Sequence, residues 1–146
     1  MTKVINGCIA LFFLLVSSST IVSHSPKTTE YVKESALLDA IEYVESRGNT
    51  RAVSRAGAKG AYQLMPVLVK HYNVDPFNKE QARQAAKKHI NYLFSKHNGN
   101  LEKTLASYNW GENNVKKKGM LSLPKETKNY IKRVTNRLKE LGNGDK

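Results

Sequence analysis

At 146 residues the chain is long enough for one domain with a real core and too short for two. Its 24 Lys and Arg against 12 Asp and Glu give a formal net charge of +12. That charge suits an acidic partner (nucleic acid, an anionic membrane face or a wall polymer), although a solvated basic surface explains it equally well. The single cysteine, Cys8, lies close to the N-terminus. The rest of the chain is therefore excluded from disulfide and thiol chemistry.

Residues 1–25 read as an export signal. Lys3 is followed by an apolar run, IALFFLLV from Ile9 to Val16, and then by small polar residues. The run is shorter than the roughly 20 apolar residues of a membrane span. Cleavage after Ser19 or Ser23 is at least as compatible as after Ser25, which would leave Pro26 at the new terminus. Cys8 precedes the apolar run, whereas a lipid-bearing cysteine follows one. A periplasmic or secreted protein is expected, with membrane attachment only if the signal stays uncleaved. Export argues against a nucleic-acid partner, and neither aromatic-basic interleaving nor a helix-turn-helix pattern is present.

Residues 26–34 are a linker and the start of the first helix, 35–141 the domain proper, and 142–146 a frayed tail. The first helix is predicted from about Tyr31 to Ser46, with Leu37, Ile41 and Val44 on one stripe. Gly48-Asn49 is its expected stop. Thr50 to Pro66 lacks helical periodicity and contains Gly57 and Gly60, which predicts a structured loop or small hairpin. Both glycines are expected to let it turn tightly and to leave room for a ligand.

A short helix follows Pro66, and Asp75-Pro76 marks a turn. A long helix is predicted from about Lys79 to Lys96, with Ala82, Ala86, Ile90, Leu93 and Phe94 near one face. Asn98-Gly99-Asn100 closes it. Leu101 to Tyr108 makes another helix, broken by Asn109-Trp110-Gly111. The last begins near Pro124, with Ile131, Val134, Leu138 and Leu141 as its apolar seam. The fold class is mainly α.

Glu45 lies four residues after Ile41 and seven after Leu38, at the edge of the first helix's apolar face. A carboxyl there keeps its proton to higher pH, as a general acid requires. Arg47, Arg51, Arg55 and Lys59 follow closely and act in the opposite sense if they fold over it. Periodicity alone favours a surface glutamate at a helix end. From Ser46 to Val74 there is no Asp or Glu. Glycosidases commonly use two carboxylates. A partner would have to come from Asp75, Glu102, Glu112 or Glu126, or the substrate itself would have to assist.

The run IEYVESRGNTRAVSRAGAKGAYQLMP, Ile41 to Pro66, resembles the signature of the soluble lytic transglycosylase (SLT) domain family. LASYNWGENNV, Leu105 to Val115, is similar to that family's Ala-Tyr-Asn-x-Gly motif. LPKETKNYIKRV, Leu123 to Val134, resembles its closing helix. The resemblance covers roughly Ser35 to Leu138. Departures are Glu112-Asn113 in place of Pro-Gly, Trp110 in place of Ala, and Tyr62 before the glutamine.

The resemblance implies a lysozyme-like helical domain, as in goose-type lysozymes, with a small irregular loop or hairpin after the first helix. It implies cleavage of the MurNAc-GlcNAc bond of peptidoglycan with 1,6-anhydro-MurNAc ends. Glu45 is then the catalytic acid and base. Ser46, Ser54, Gln63, Met65, Tyr108, Asn109, Glu126 and Tyr130 are the substrate-binding candidates, each of a type that packing or capping also explains. His89 has no second histidine placed to make a metal site, so neither a metal nor a cofactor is expected. The expected partners are peptidoglycan glycan strands and, by analogy, a secretion, conjugation or pilus machine, with the protein itself a monomer. A hydrolytic muramidase and a catalytically silent wall-binding assembly factor are the alternatives.

Overall fold

The computed structural model describes residues 28–143; the export-signal reading of 1–25 and the last three residues of the tail lie outside them. Helix α1 spans Thr28–Ser46. It begins three residues before the expected Tyr31, so part of the supposed linker is helical; its first residues, Thr-Thr-Glu, are types favoured at helix starts. Leu38, Ala40 and Ile41 are buried, with Leu37 and Val44 packed against them. The helix ends at Ser46, as expected. Arg47 takes the left-handed conformation (φ 55) and its amide donates to the Tyr43 carbonyl at 3.0 Å.

The segment that follows has two isolated bridges, Val53 with Lys59 and Lys59 with Leu64. Lys59 thus pairs on both sides, and the expected hairpin is a compact knot of loop. Gly60 (φ +76) is its pivot: a Cβ there would lie 1.8 Å from the Pro76 carbonyl oxygen. The missing side chain makes way for backbone, not for ligand, which corrects the expectation for this glycine.

Helix α2 (Pro66–Tyr72) starts on its proline. Helix α3 (Lys79–Lys96) has the predicted bounds, and the Asn78 side chain caps it by accepting from the Gln81 amide at 3.1 Å. Ala82, Ala85, Ala86, Ile90 and Leu93 are buried. Phe94 is exposed, contrary to expectation, because it falls one position beyond the stripe and lies over Gly99.

Helix α4 (Leu101–Trp110) runs through Asn109 and Trp110, which were expected to break it. Only Gly111 (φ 91) redirects the chain, and it leads straight into α5 (Glu112–Lys118). The sequence reading missed α5 because ENNVKKK offers one apolar residue, Val115, and periodicity needs two. A 3-10 turn, Met120–Ser122, precedes α6 (Lys125–Asn143). Gly142 is still helical, not frayed, since Leu141 packs on the core and holds the last turn.

Among the described residues the molecule is thus mainly helical. Helices α1 and α6 pack together most extensively, and α4 packs on α3, α5 and α6. Tyr62 and Leu64 of the loop enter the same core as Ile41, Leu105, Tyr130 and Val134. This ties the end of α1 to the loop and to α6.

Candidate active site

Glu45 sits one residue before the end of α1, half-buried where that helix meets α6. Burial raises its pKa from 4.5 to about 7; the Tyr130 hydroxyl and the Arg133 guanidinium, both on α6, oppose the shift without overcoming it. The Tyr130 hydroxyl is buried and lacks a partner of full hydrogen-bond geometry. Its approach to Glu45 still favours the anion. Burial, and then the charge of Glu45, push the Tyr130 hydroxyl well above its ordinary range, so it remains a neutral donor.

Tyr108, on α4, is half-buried and also feels the Glu45 charge. Its hydroxyl donates to the Tyr62 carbonyl at 2.8 Å. The ring is thereby fixed beside the acid, while the hydroxyl is committed to backbone. Tyr62 is itself buried, and its hydroxyl donates to Glu42 Oε2 at 2.9 Å and accepts from Arg83 Nη1 at 2.8 Å. Glu42 is buried one turn before Glu45 and pairs with Lys79 at 2.9 Å. Glu42 is thus a carboxylate already occupied by Tyr62 and Lys79, with Arg83 at 3.9 Å.

The loop candidates are engaged with their own backbone. Ser46 Oγ donates to the Ala61 carbonyl at 2.8 Å, pinning the end of α1 to the loop. Ser54 Oγ accepts from the Ala58 amide at 3.0 Å. Gln63 takes a left-handed conformation (φ 47), and its Nε2 donates to the carbonyls of Gly60 at 2.9 Å and Ala52 at 3.4 Å. Its Oε1 remains available as an acceptor. Met65, beside buried Leu64, is 40% exposed and faces solvent.

Asn109 is half-buried on α4, next to Tyr108. Glu126 is exposed, one turn before Tyr130 on α6. Among the described residues, Glu45 therefore gathers Tyr108, Tyr130 and Arg133. Whether the nearby cations fold over Glu45 was open from the sequence; Arg47, Arg51 and Arg55 are exposed, and the cation that opposes its shift is Arg133. Arg133 escaped sequence reading; its signal was its place three residues after Tyr130, on the same helical face. Asp75, Glu102, Glu112 and Glu126 do not act on Glu45 either. Glu112 instead pairs with Lys96 and accepts from Tyr92.

His89, on α3, is half-buried with its ring centroid 5.8 Å from that of Tyr108. Burial lowers its pKa, against the pull of Glu112, so it is uncharged at neutral pH. Among the described residues no three His, Cys, Asp or Glu side chains cluster as a metal site requires. The arrangement is that of a carboxyl holding its proton to neutral pH beside two fixed aromatic rings. Such a group can donate a proton and, once ionised, recover one.

The model of the family described as "Transglycosylase SLT domain" matches residues 24–131. Among solved structures, the chain is similar to an inactive Glu-to-Gln mutant of the lytic transglycosylase Slt from Pseudomonas aeruginosa. The TM-score is 0.65 at 21% identity, over 82% of this chain and 24% of that one. The chain thus spans about a quarter of that protein's length, and the likeness establishes the fold, mainly helical and lysozyme-like. Since the matching model covers most of the sequence from the end of the signal-like segment to the middle of α6, the chain belongs to the transglycosylase SLT domain family.

Proposed function

We propose that the protein is a peptidoglycan lytic transglycosylase that cleaves the MurNAc-GlcNAc β-1,4 bond with Glu45 as acid and then base. The observation that carries this reading is a carboxyl near the end of α1 that burial keeps protonated up to about pH 7, beside Tyr108 and Tyr130. A substrate-assisted route needs no second carboxylate. Glu45 protonates the bridging oxygen as the bond from the anomeric carbon breaks. The sugar's 2-acetamido carbonyl supports the cationic carbon. The Glu45 carboxylate then takes the proton of the C6 hydroxyl, whose oxygen closes the 1,6-anhydro ring. The acid is restored and no water is consumed.

Tyr108 and Tyr130 wall the carboxyl, and Arg133 limits how far its pKa rises. Ser46, Ser54 and Gln63 act by shaping the loop; Gln63 Oε1, Met65, Asn109 and Glu126 are the remaining candidates for sugar contact. The reading includes export through residues 1–25 to the periplasm or beyond, where the protein opens local gaps in the wall for a secretion, conjugation or pilus apparatus.

The test is digestion of purified sacculi by the protein and by Glu45→Gln, with products read by mass spectrometry. Ends lighter by one water than reducing ends, from the wild type alone, are the expected result. Reducing ends would make the protein a muramidase with the same acid. No products from a folded, sacculus-binding protein would make it a silent wall-binding factor.

A further inference from the structure

The stretch from Lys116 to Lys125, KKKGMLSLPK, carries four lysines and neither Asp nor Glu. It runs from the last turn of α5 through the 3-10 turn to the start of α6. Two of its apolar residues turn inward: Leu123 is buried, and Met120 packs with it against Ala106 and Val115. Leu121, between them, is 98% exposed, the most exposed large apolar side chain among the described residues. The backbone that carries it is held in place. The Gly119 amide donates to the Val115 carbonyl at 2.9 Å, and the Ser122 amide to the Gly119 carbonyl at 3.3 Å.

Lys116, Lys117, Lys118 and Lys125 are all exposed, and none pairs with an acidic side chain among the described residues. Lys118 Nζ lies 5.4 Å from the centre of the Trp110 ring. Cations in the last turn of α5 complement that helix end. This accounts for neither Lys125 nor Leu121. Core packing does not use Leu121 either, since its neighbours on both sides already fill the space beneath the turn.

We propose that this turn is a contact for an anionic lipid surface, with Leu121 entering the layer beneath the headgroups and the lysines lying against their charges. A wall polymer or a nucleic acid would satisfy the lysines and leave Leu121 in water. A bilayer face offers both anionic groups and, just below them, an apolar phase. All four cations of the stretch are lysines. Their mobile point charges suit headgroups that diffuse laterally, whereas arginine's fixed fork suits set carboxylates. One leucine and a few lysines give weak, reversible attachment. Such contact is separate from residues 1–25 and from the chemistry at Glu45, and it holds the protein at the membrane face of the wall.

Trp110 is the sole tryptophan and packs on the same cluster as Met120, so its fluorescence reports on this turn. The test titrates the full chain with vesicles of phosphatidylglycerol whose acyl chains carry bromine, a quencher of short range. The expected result is saturable quenching, absent with brominated phosphatidylcholine. Leu121→Ser should weaken binding about tenfold. Lys116→Gln, Lys117→Gln and Lys118→Gln together should weaken it about a hundredfold. All these positions are exposed and lie outside the site at Glu45, so the thermal melt and the products from sacculi should be unchanged. Vesicle binding that leaves Trp110 unquenched overturns the proposal, because attachment then runs through another part of the chain. So does equal binding to phosphatidylcholine, or a loss with the lysine substitutions but none with Leu121→Ser, the behaviour of a merely solvated basic surface. An equal loss of sedimentation with sacculi on Leu121→Ser overturns it too and makes the turn a wall contact.

Discussion

At Glu45 two effects oppose each other, and burial outweighs Tyr130 and Arg133 to leave the pKa near 7. A carboxyl whose pKa is higher folded than unfolded destabilises the fold once it ionises. The unfolded chain releases this proton near 4.5 and the folded one near 7. Stability should therefore fall as pH rises between those values, by at most about 3 kcal/mol. Glu45→Gln removes the effect: its melting temperature should match the wild type at pH 4 and exceed it by several degrees at pH 8, as thermal melts at both pH values would show. Activity should decline above pH 7 as the acid loses its proton. Equal melting differences at pH 4 and pH 8 would contradict the burial assigned to this carboxyl. At Tyr62, the substitution Tyr62→Phe deletes a donor to Glu42 and an acceptor for Arg83. Leaving a buried carboxylate short of a partner costs about 1–3 kcal/mol, read as a lower urea midpoint with an unchanged slope.

Among the elements, the loop between α1 and α2 bears most of the site's construction. Its shape depends on Ser46, Ser54 and Gln63 bonding backbone and on two glycines of unequal tolerance. A Cβ at Gly57 meets Pro66 at an ordinary 3.9 Å, so Gly57→Ala should cost only the left-handed strain, about 1–2 kcal/mol. At Gly60 a Cβ collides with the Pro76 carbonyl, so Gly60→Ala should cost about 3 kcal/mol or more. Chemical denaturation of the pair side by side checks this. Similar losses at both sites would mean that the backbone at Pro76 yields easily. Asn78 and Asn100 illustrate what was readable here: each accepts from an amide three residues on, and each stands where the sequence placed a helix start.

For the whole molecule, the excess of 24 basic over 12 acidic residues is the dominant long-range property. Attraction between such a surface and an anionic wall is screened by salt. Sedimentation with sacculi should therefore show binding weakening several-fold between about 0.05 M and 0.3 M salt. Binding indifferent to salt would place the affinity in uncharged contacts instead. Among the described residues no helix is long and apolar enough to cross a membrane.

The sequence by itself determined the helical class, the bounds of α3, the position of Glu45 near the end of α1 and the three family motifs. These are local properties, carried by periodicity, capping residues and fixed spacing. It did not reveal α5, whose one buried residue makes no pattern, nor the exposure of Phe94 and Met65. Tertiary structure alone decided which groups act on Glu45. The nearby Arg47, Arg51 and Arg55 point to solvent, whereas Arg133, 88 residues away in the chain, lies within electrostatic reach because α6 packs on α1. It likewise decided that Glu42 is spent on Tyr62 and Lys79, and that the His89 ring lies against Tyr108. Charge and ring contacts act over a few ångströms through space, and only the packing of helices determines which distant residues come that close.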